Sequence, residues 1–224
     1  MSLFKVESVE FSSRSQKIIN GISLEIQKGT TTAFLGTSGS GKSTLLKMIA
    51  GILIPTAGKI FFNGQDIFLM NNSENLDFRK KCSFVFQDSA LWANQTIVQN
   101  LTLPLQVHFP AMSQEERLFT VESICAMVGY DRDLSLRPTD LSTGEQKRIA
   151  FARAMILGPE VIFLDECTES LDRRGTKVII ELLHNFLEQK NTIIYVSHNP
   201  AFINEFPGTI YKIENGVLKE ESEK

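Results

Sequence analysis

The stretch Gly36-Thr37-Ser38-Gly39-Ser40-Gly41-Lys42-Ser43-Thr44 limits what this chain can fold into more than any other part of it. It fits the pattern GxxxxGK[ST], in which glycines let backbone N–H groups turn inward around a phosphate without Cβ obstruction. Such a pattern has meaning only between a strand and a helix. Thr31–Leu35 ahead of it is a β-branched and apolar run that reads as a buried strand, and Lys42–Ala50 behind it has helical composition. A helix starting at Lys42 aims its positive dipole end at a bound anion. Lys42 then reaches the β- and γ-phosphates of a nucleotide, and the Ser43 hydroxyl is suited to ligate Mg²⁺. An accidental match arises in about one such chain in a hundred.

The second constraint is Val161-Ile162-Phe163-Leu164, an apolar run that ends abruptly in Asp165 and Glu166. Strand alternation points neighbouring side chains apart, so the two carboxylates are free to do different jobs. Asp165 is suited to hold Mg²⁺ through water. Glu166 is suited to polarise the water that attacks a γ-phosphate. Without a phosphate loop the pair would read as ordinary surface carboxylates after a strand.

The rest of the chain supplies alternating strands and helices, the pattern of a largely parallel sheet covered by helices. Phe4–Phe11 and Ile22–Ile26 read as strands, and Lys59–Phe62 runs into Asn63-Gly64, a dipeptide suited to a tight hairpin turn. Cys82–Phe86 and Thr192–Val196 are further strands, with a helix through Val178–Leu187. From about residue 88 to 158 the character is helical: Ser113 and Glu116 form a capping-box pattern, and Val121, Ile124, Cys125 and Val128 share one helical face. With 224 residues and no repeat or linker, one α/β core with an inserted helical subdomain is expected.

A net charge of −3 gives no global field for nucleic acid, and no nucleic-acid partner is expected. No apolar run approaches the roughly 20 residues needed to span a bilayer. The start, MSLFKVESVEF, lacks the features of a signal peptide, so any membrane role is expected to work through a partner. Cys82, Cys125 and Cys167 are scattered and read as reduced cytosolic thiols.

Leu141-Ser142-Thr143-Gly144-Glu145, followed by Gln146-Lys147-Arg148, lies between the phosphate loop and the acidic strand. In that order it looks like the LSGGQ signature, and the whole chain resembles the ABC ATPase family. The resemblance implies an α/β fold: a P-loop NTPase core with a mostly parallel sheet, an N-terminal antiparallel β subdomain and the inserted helical subdomain. It also implies roles. Gln87 corresponds to the glutamine that senses Mg²⁺ and the attacking water, Ser170-Leu171-Asp172 to the loop that communicates across the dimer, and His198 to the switch histidine at the γ-phosphate. His108 and His184 match nothing in the family.

Two cassettes of this family stack head to tail around two ATP molecules. Ser142 and the Gly144 backbone would then contact the γ-phosphate of the partner's ATP. The implied partners are a second cassette, in a homodimer, and an integral membrane permease. The implied place is cytoplasmic, peripheral on the inner face of the cell membrane. Arg137-Pro138-Thr139-Asp140 resembles importer and lipid-trafficking cassettes. The segments Phe86–Trp92 and Asn100–Leu105 look similar to bacterial lipid-transport (Mla-like) cassettes.

The chain also departs from the pattern. Thr143 replaces a glycine and adds β-branched bulk, and Glu145 replaces a glutamine and brings negative charge toward a triphosphate. Both bear on hydrolysis rate, and a weakly hydrolysing regulatory cassette stands as an alternative, beside a soluble ATPase of DNA repair or translation. Cys167 stands where a proline is common and reads as a small buried thiol. The adenine-stacking aromatic would fall at Ser13, and the nearby Phe11 reads as a core residue. Trp92 reads either as a permease contact or as a buried side chain.

Overall fold

The computed structural model describes residues 2–13, 16–168 and 170–223. The first half runs β1 (Ser2–Ser13), β2 (Gln16–Gln27), β3 (Thr31–Leu35), α1 (Lys42–Ile49), β4 (Ala57–Phe62), β5 (Gln65–Asp66), α2 (Asn72–Lys81) and β6 (Cys82–Val85). Then come α3 (Ile97–His108), α4 (Gln114–Met127), a single 3₁₀ turn at Pro138–Asp140 and α5 (Thr143–Met155). The chain closes with β7 (Val161–Asp165), α6 (Arg173–Glu188), β8 (Thr192–Val196), α7 (Pro200–Glu205), β9 (Thr209–Glu214) and β10 (Val217–Glu223).

These strands form two sheets. One is antiparallel, in the order β2-β1-β4-β5, with Asn63 and Gly64 both left-handed in the turn from β4 to β5. The other runs β10-β9-β3-β8-β7-β6, and only its β9–β10 pair is antiparallel. The α/β class, the antiparallel N-terminal sheet and the mostly parallel core all match the sequence reading. The terminal hairpin β9–β10 and the helix α2 were not anticipated. In β9 only Tyr211 and Ile213 are buried, between charged neighbours. In α2 only Phe78 is buried, and a capping box between Asn71 and Glu74 closes its start.

Side-chain alternation splits the core in two. Ile162, Leu164, Ile193 and Tyr195 face one apolar cluster together with Ile97, Leu101, Val121 and Ile149 of the inserted helices. Val161, Phe163, Ile194 and Val196 face the other, which includes Phe4, Ile22 and Ile60 of the antiparallel sheet and Leu45 and Leu46 of α1. Strands buried on both faces read as continuous apolar runs, which is why β7 and β8 are legible in sequence. Phe11 is partly buried against the second cluster, and Cys167 is a buried free thiol pushed up to about 12 by desolvation. Both agree with the readings made from sequence. His184 lies against the ring of Phe206 at 4.9 Å.

In the helical insert, Asn100 has no solvent exposure and ties down the preceding loop. Its amide donates to the carbonyls of Trp92, Gln95 and Thr96 at 3.1, 3.3 and 3.0 Å, and its Oδ1 accepts from the Trp92 N–H at 2.9 Å. Replacing it leaves backbone groups of that loop without partners. Asn100→Ala is expected to lower unfolding free energy by about 2–3 kcal/mol, read as a shifted urea midpoint with unchanged slope.

Candidate functional site

Parallel pairing brings the carboxyl ends of three strands to one level. Phe34 of β3 and Asp165 of β7 both pair with Val196 of β8. The phosphate loop follows β3, Glu166 follows β7, and Ser197-His198 follows β8. Ligands of open α/β sheets bind at this edge. A cavity of about 610 Å³ lies there, lined by Ser38, Gly39, Gly41, Lys42, Ser43 and Thr44 of the loop and by Gln87, Glu166 and His198. Gln16 and Ile18, which sequence reasoning did not single out, line it as well. The volume is within the usual range for a small-molecule site, about 300–1,000 Å³.

The loop is held by contacts that only small residues permit. Gly36 has φ +147°, and a Cβ there would lie 2.0 Å from the Ile213 carbonyl oxygen. Gly41 has φ +102°, and its Cβ would lie 2.6 Å from Ile19 Cδ1. The terminal hairpin braces the loop as well, since the Gly216 N–H donates to the Ser40 carbonyl at 3.1 Å. The Ser40 hydroxyl is buried with no hydrogen-bond partner among the described residues. The Lys42 ammonium donates to the carbonyls of Gly36 and Thr37 at 3.0 and 2.7 Å. Burial holds it below the usual lysine range, while Glu166 and Asp165 oppose that shift. The result is a cationic, glycine-lined cradle at a helix N-terminus, and it fits a phosphate chain.

Asp165, at the end of β7, is buried behind Ser43. Its Oδ1 accepts from the Ser43 hydroxyl at 2.6 Å, and Lys47, one turn along α1, stands 3.7 Å from Oδ2. Hydroxyl and carboxylate oxygens are hard donors that suit Mg²⁺. They are too few for an all-protein cage and leave positions for phosphate oxygens and water. Glu166 does not continue the strand. It is left-handed at φ +50°, its N–H donates to the Val196 carbonyl at 3.1 Å, and its Oε1 is 3.2 Å from His198 Nε2. The separate directions of Asp165 and Glu166 therefore come from a break in the backbone as well as from strand alternation.

Gln87 is positioned from α5. The buried Lys147 ammonium donates to the carbonyls of Phe86, at 3.1 Å, and Gln87. Arg153 donates to the carbonyls of Ser89 and Ala90 at 3.1 and 2.8 Å, and both of those residues are left-handed. These two cations were not identified from sequence, because a lysine and an arginine in a polar helix look like solvated surface. The same segment forms one side of a groove of about 430 Å³ that includes Phe84, Phe86, Ala90, Trp92, Pro104 and His108. Trp92 is 47% exposed, which removes the reading of it as a buried side chain.

Ser142, Thr143, Gly144 and Glu145 do not line the phosphate cavity of their own chain, and neither does Asp172. Ser142 caps α5, and Asp172 caps α6 by accepting from the Gly175 N–H at 2.7 Å. Thr143 is an exposed residue of the first turn of α5 with no left-handed backbone, so its β-branched side chain strains nothing there. Glu145 turns back into the cap: its Oε2 accepts from the Ser142 N–H and hydroxyl, each at 2.8 Å. It is also paired with Arg132 at 3.1 Å. The Ser142 N–H, followed by the Ser142 hydroxyl and Arg132, holds the Glu145 carboxyl below its ordinary value of 4.5, against the effect of burial.

The geometry defines the class of protein as a P-loop nucleotide-binding fold. Comparison with known proteins narrows that class. The sequence model of the ABC transporter family matches residues 19–169, and the chain belongs to that family. It is 31% identical to the methionine import ATP-binding protein MetN 2 of Enterococcus faecalis over 99% of this chain and 65% of that protein. It therefore spans just under two thirds of that relative's length. It is 34% identical to the lipoprotein-releasing system ATP-binding protein LolD of Buchnera aphidicola over 90% of this chain and 88% of that protein.

 Among solved structures, the dimeric post-hydrolysis state of the ATP-binding cassette MJ0796, bound to ADP and Pi, superposes with a TM-score of 0.89. The identity there is 29%, with 98% of each chain covered.

Two outcomes follow from this geometry. Gly36→Ala is expected to weaken nucleotide binding on the order of tenfold or more, because its Cβ has no room and its φ is strained; titration with a fluorescent nucleotide reads this. Glu145 has a depressed folded value, so its stabilisation is complete above its ordinary value of 4.5 and is lost as pH falls through the lowered one. Glu145→Gln should therefore flatten the fall of melting temperature across the acid range below about pH 5.

Proposed function

We propose that this chain is the ATP-hydrolysing engine of a membrane transporter, acting as a single nucleotide-binding domain whose helical part is α3–α5. One observation carries the reading. The phosphate loop, Gln87, Glu166 and His198 meet at one cavity, with Asp165 bonded to Ser43 behind it, while the signature segment does not line it. A site so divided is completed by a second copy. The loop residues and Lys42 hold the β- and γ-phosphates, and Ser142 and the Gly144 N–H of the opposite cassette reach the γ-phosphate at a helix N-terminus.

Ser43 and Asp165, with Gln87 nearby, are the residues that would hold Mg²⁺, which supplies charge neutralisation on the phosphates when bound. Glu166 orients the attacking water and accepts its proton, and His198 fixes the Glu166 carboxylate and faces the γ-phosphate. Asp172 holds the start of α6 at the loop that meets the second cassette. Ile18 and Gln16 lie where the base would rest, so apolar packing takes the place of an aromatic stack. The permease docks in the groove beside Trp92 and Phe86, next to the segment that carries Gln87. The relatives named for methionine import and lipoprotein release support a transport role, and the chain would work peripherally on the inner face of the cell membrane through its permease.

Steady-state ATP hydrolysis across protein concentration tests the reading. Activity should rise more than linearly, because each site needs two chains. Glu166→Gln should lower turnover by about 100-fold or more yet form an ATP-dependent dimer by light scattering. Linear activity with no dimer would count against the shared site.

A further inference from the structure

We propose that Arg132 is a positioning residue of the signature segment: it cancels the charge of Glu145 so that the start of α5 can receive the partner's triphosphate. The inference rests on the head-to-tail reading above.

The N-terminal end of α5 carries two opposed charges. Its dipole and its first-turn backbone N–H groups favour an anion. Glu145, in the first turn, carries a full negative charge at the same end and repels one. A carboxylate there suits an isolated helix. It is costly where a nucleotide with several negative charges must approach.

Arg132 resolves this conflict from another part of the chain. It lies in the loop between α4 and the 3₁₀ turn, and its Nη1 is 3.1 and 3.2 Å from the two Glu145 oxygens. The same nitrogen donates to the Asp140 carbonyl at 3.3 Å, just ahead of the signature. The Glu145 side chain is 16% exposed and Arg132 42%, so the pair lies at the surface and the guanidinium is the cation that compensates the carboxylate there. Arg132 also keeps Glu145 turned into the cap, where Oε2 accepts from the Ser142 hydroxyl. The orientation of Ser142 and the local potential thus depend on one cation.

The test uses the full-length chain carrying Glu166→Gln, with dimerisation followed by light scattering as ATP is added. Arg132→Ala should raise the ATP concentration needed for half-maximal dimer by about three- to fivefold. Arg132→Lys keeps the charge and should stay near the parent. Glu145→Gln keeps the cap, since glutamine serves that position as well, and added to Arg132→Ala it should restore the parent value. Raising salt from about 50 to 500 mM should shrink the Arg132→Ala deficit.

A purely structural role for Arg132 predicts no rescue by Glu145→Gln and no salt effect, and that result would overturn the proposal. So would an Arg132→Ala variant that dimerises like the parent. Melting curves of each variant identify any that fail to fold, and for such a variant Arg132→Gln, which retains a donor for the Asp140 carbonyl, takes its place. A parent that stays monomeric at saturating ATP overturns the head-to-tail reading, and the role of Arg132 with it.

Discussion

Parallel pairing of β3, β8 and β7 is the constraint on which the rest depends. Because their registers align, the strands stop at a common level, and whatever follows each of them shares one edge. The phosphate loop, Glu166 and His198 are far apart in sequence and adjacent in space for that reason. The hydrogen bond from Ser43 to Asp165 locks the first helix to the end of β7 beside the cavity. Apolar clusters on both faces of the sheet hold these strand ends in place.

The inserted helices serve the site from outside it. α5 begins with the signature and, further along, sends Lys147 and Arg153 back to the carbonyls around Gln87. One rigid helix thus joins the segment that would meet a second cassette to the segment beside the exposed Trp92. Charge-assisted hydrogen bonds are stronger than neutral ones, so the segment around Gln87 is held firmly to this helix.

Departures from the family pattern look different once the neighbours are known. Thr143 costs little because the first turn of a helix accepts a β-branched residue with an ordinary backbone. Glu145 is absorbed by a capping box and by Arg132. Neither effect can be read from the five signature residues alone, since the compensating arginine belongs to a separate loop.

The sequence by itself determined the phosphate loop, the buried strands β3, β7 and β8, the capped helix at Ser113 and the order of the motifs. These are local properties: positive φ at glycine, apolar runs buried on both faces, and side chains that cap their own helix. Tertiary structure decided what depends on distant partners. The hairpin β9–β10 braces the phosphate loop although its own residues look like a mixed surface strand. Lys147, Arg153 and Arg132 become structural cations only because folding brings carbonyls or a carboxylate to them. The turn at Glu166 away from strand geometry, with its contact to His198, likewise arises where two strands end side by side.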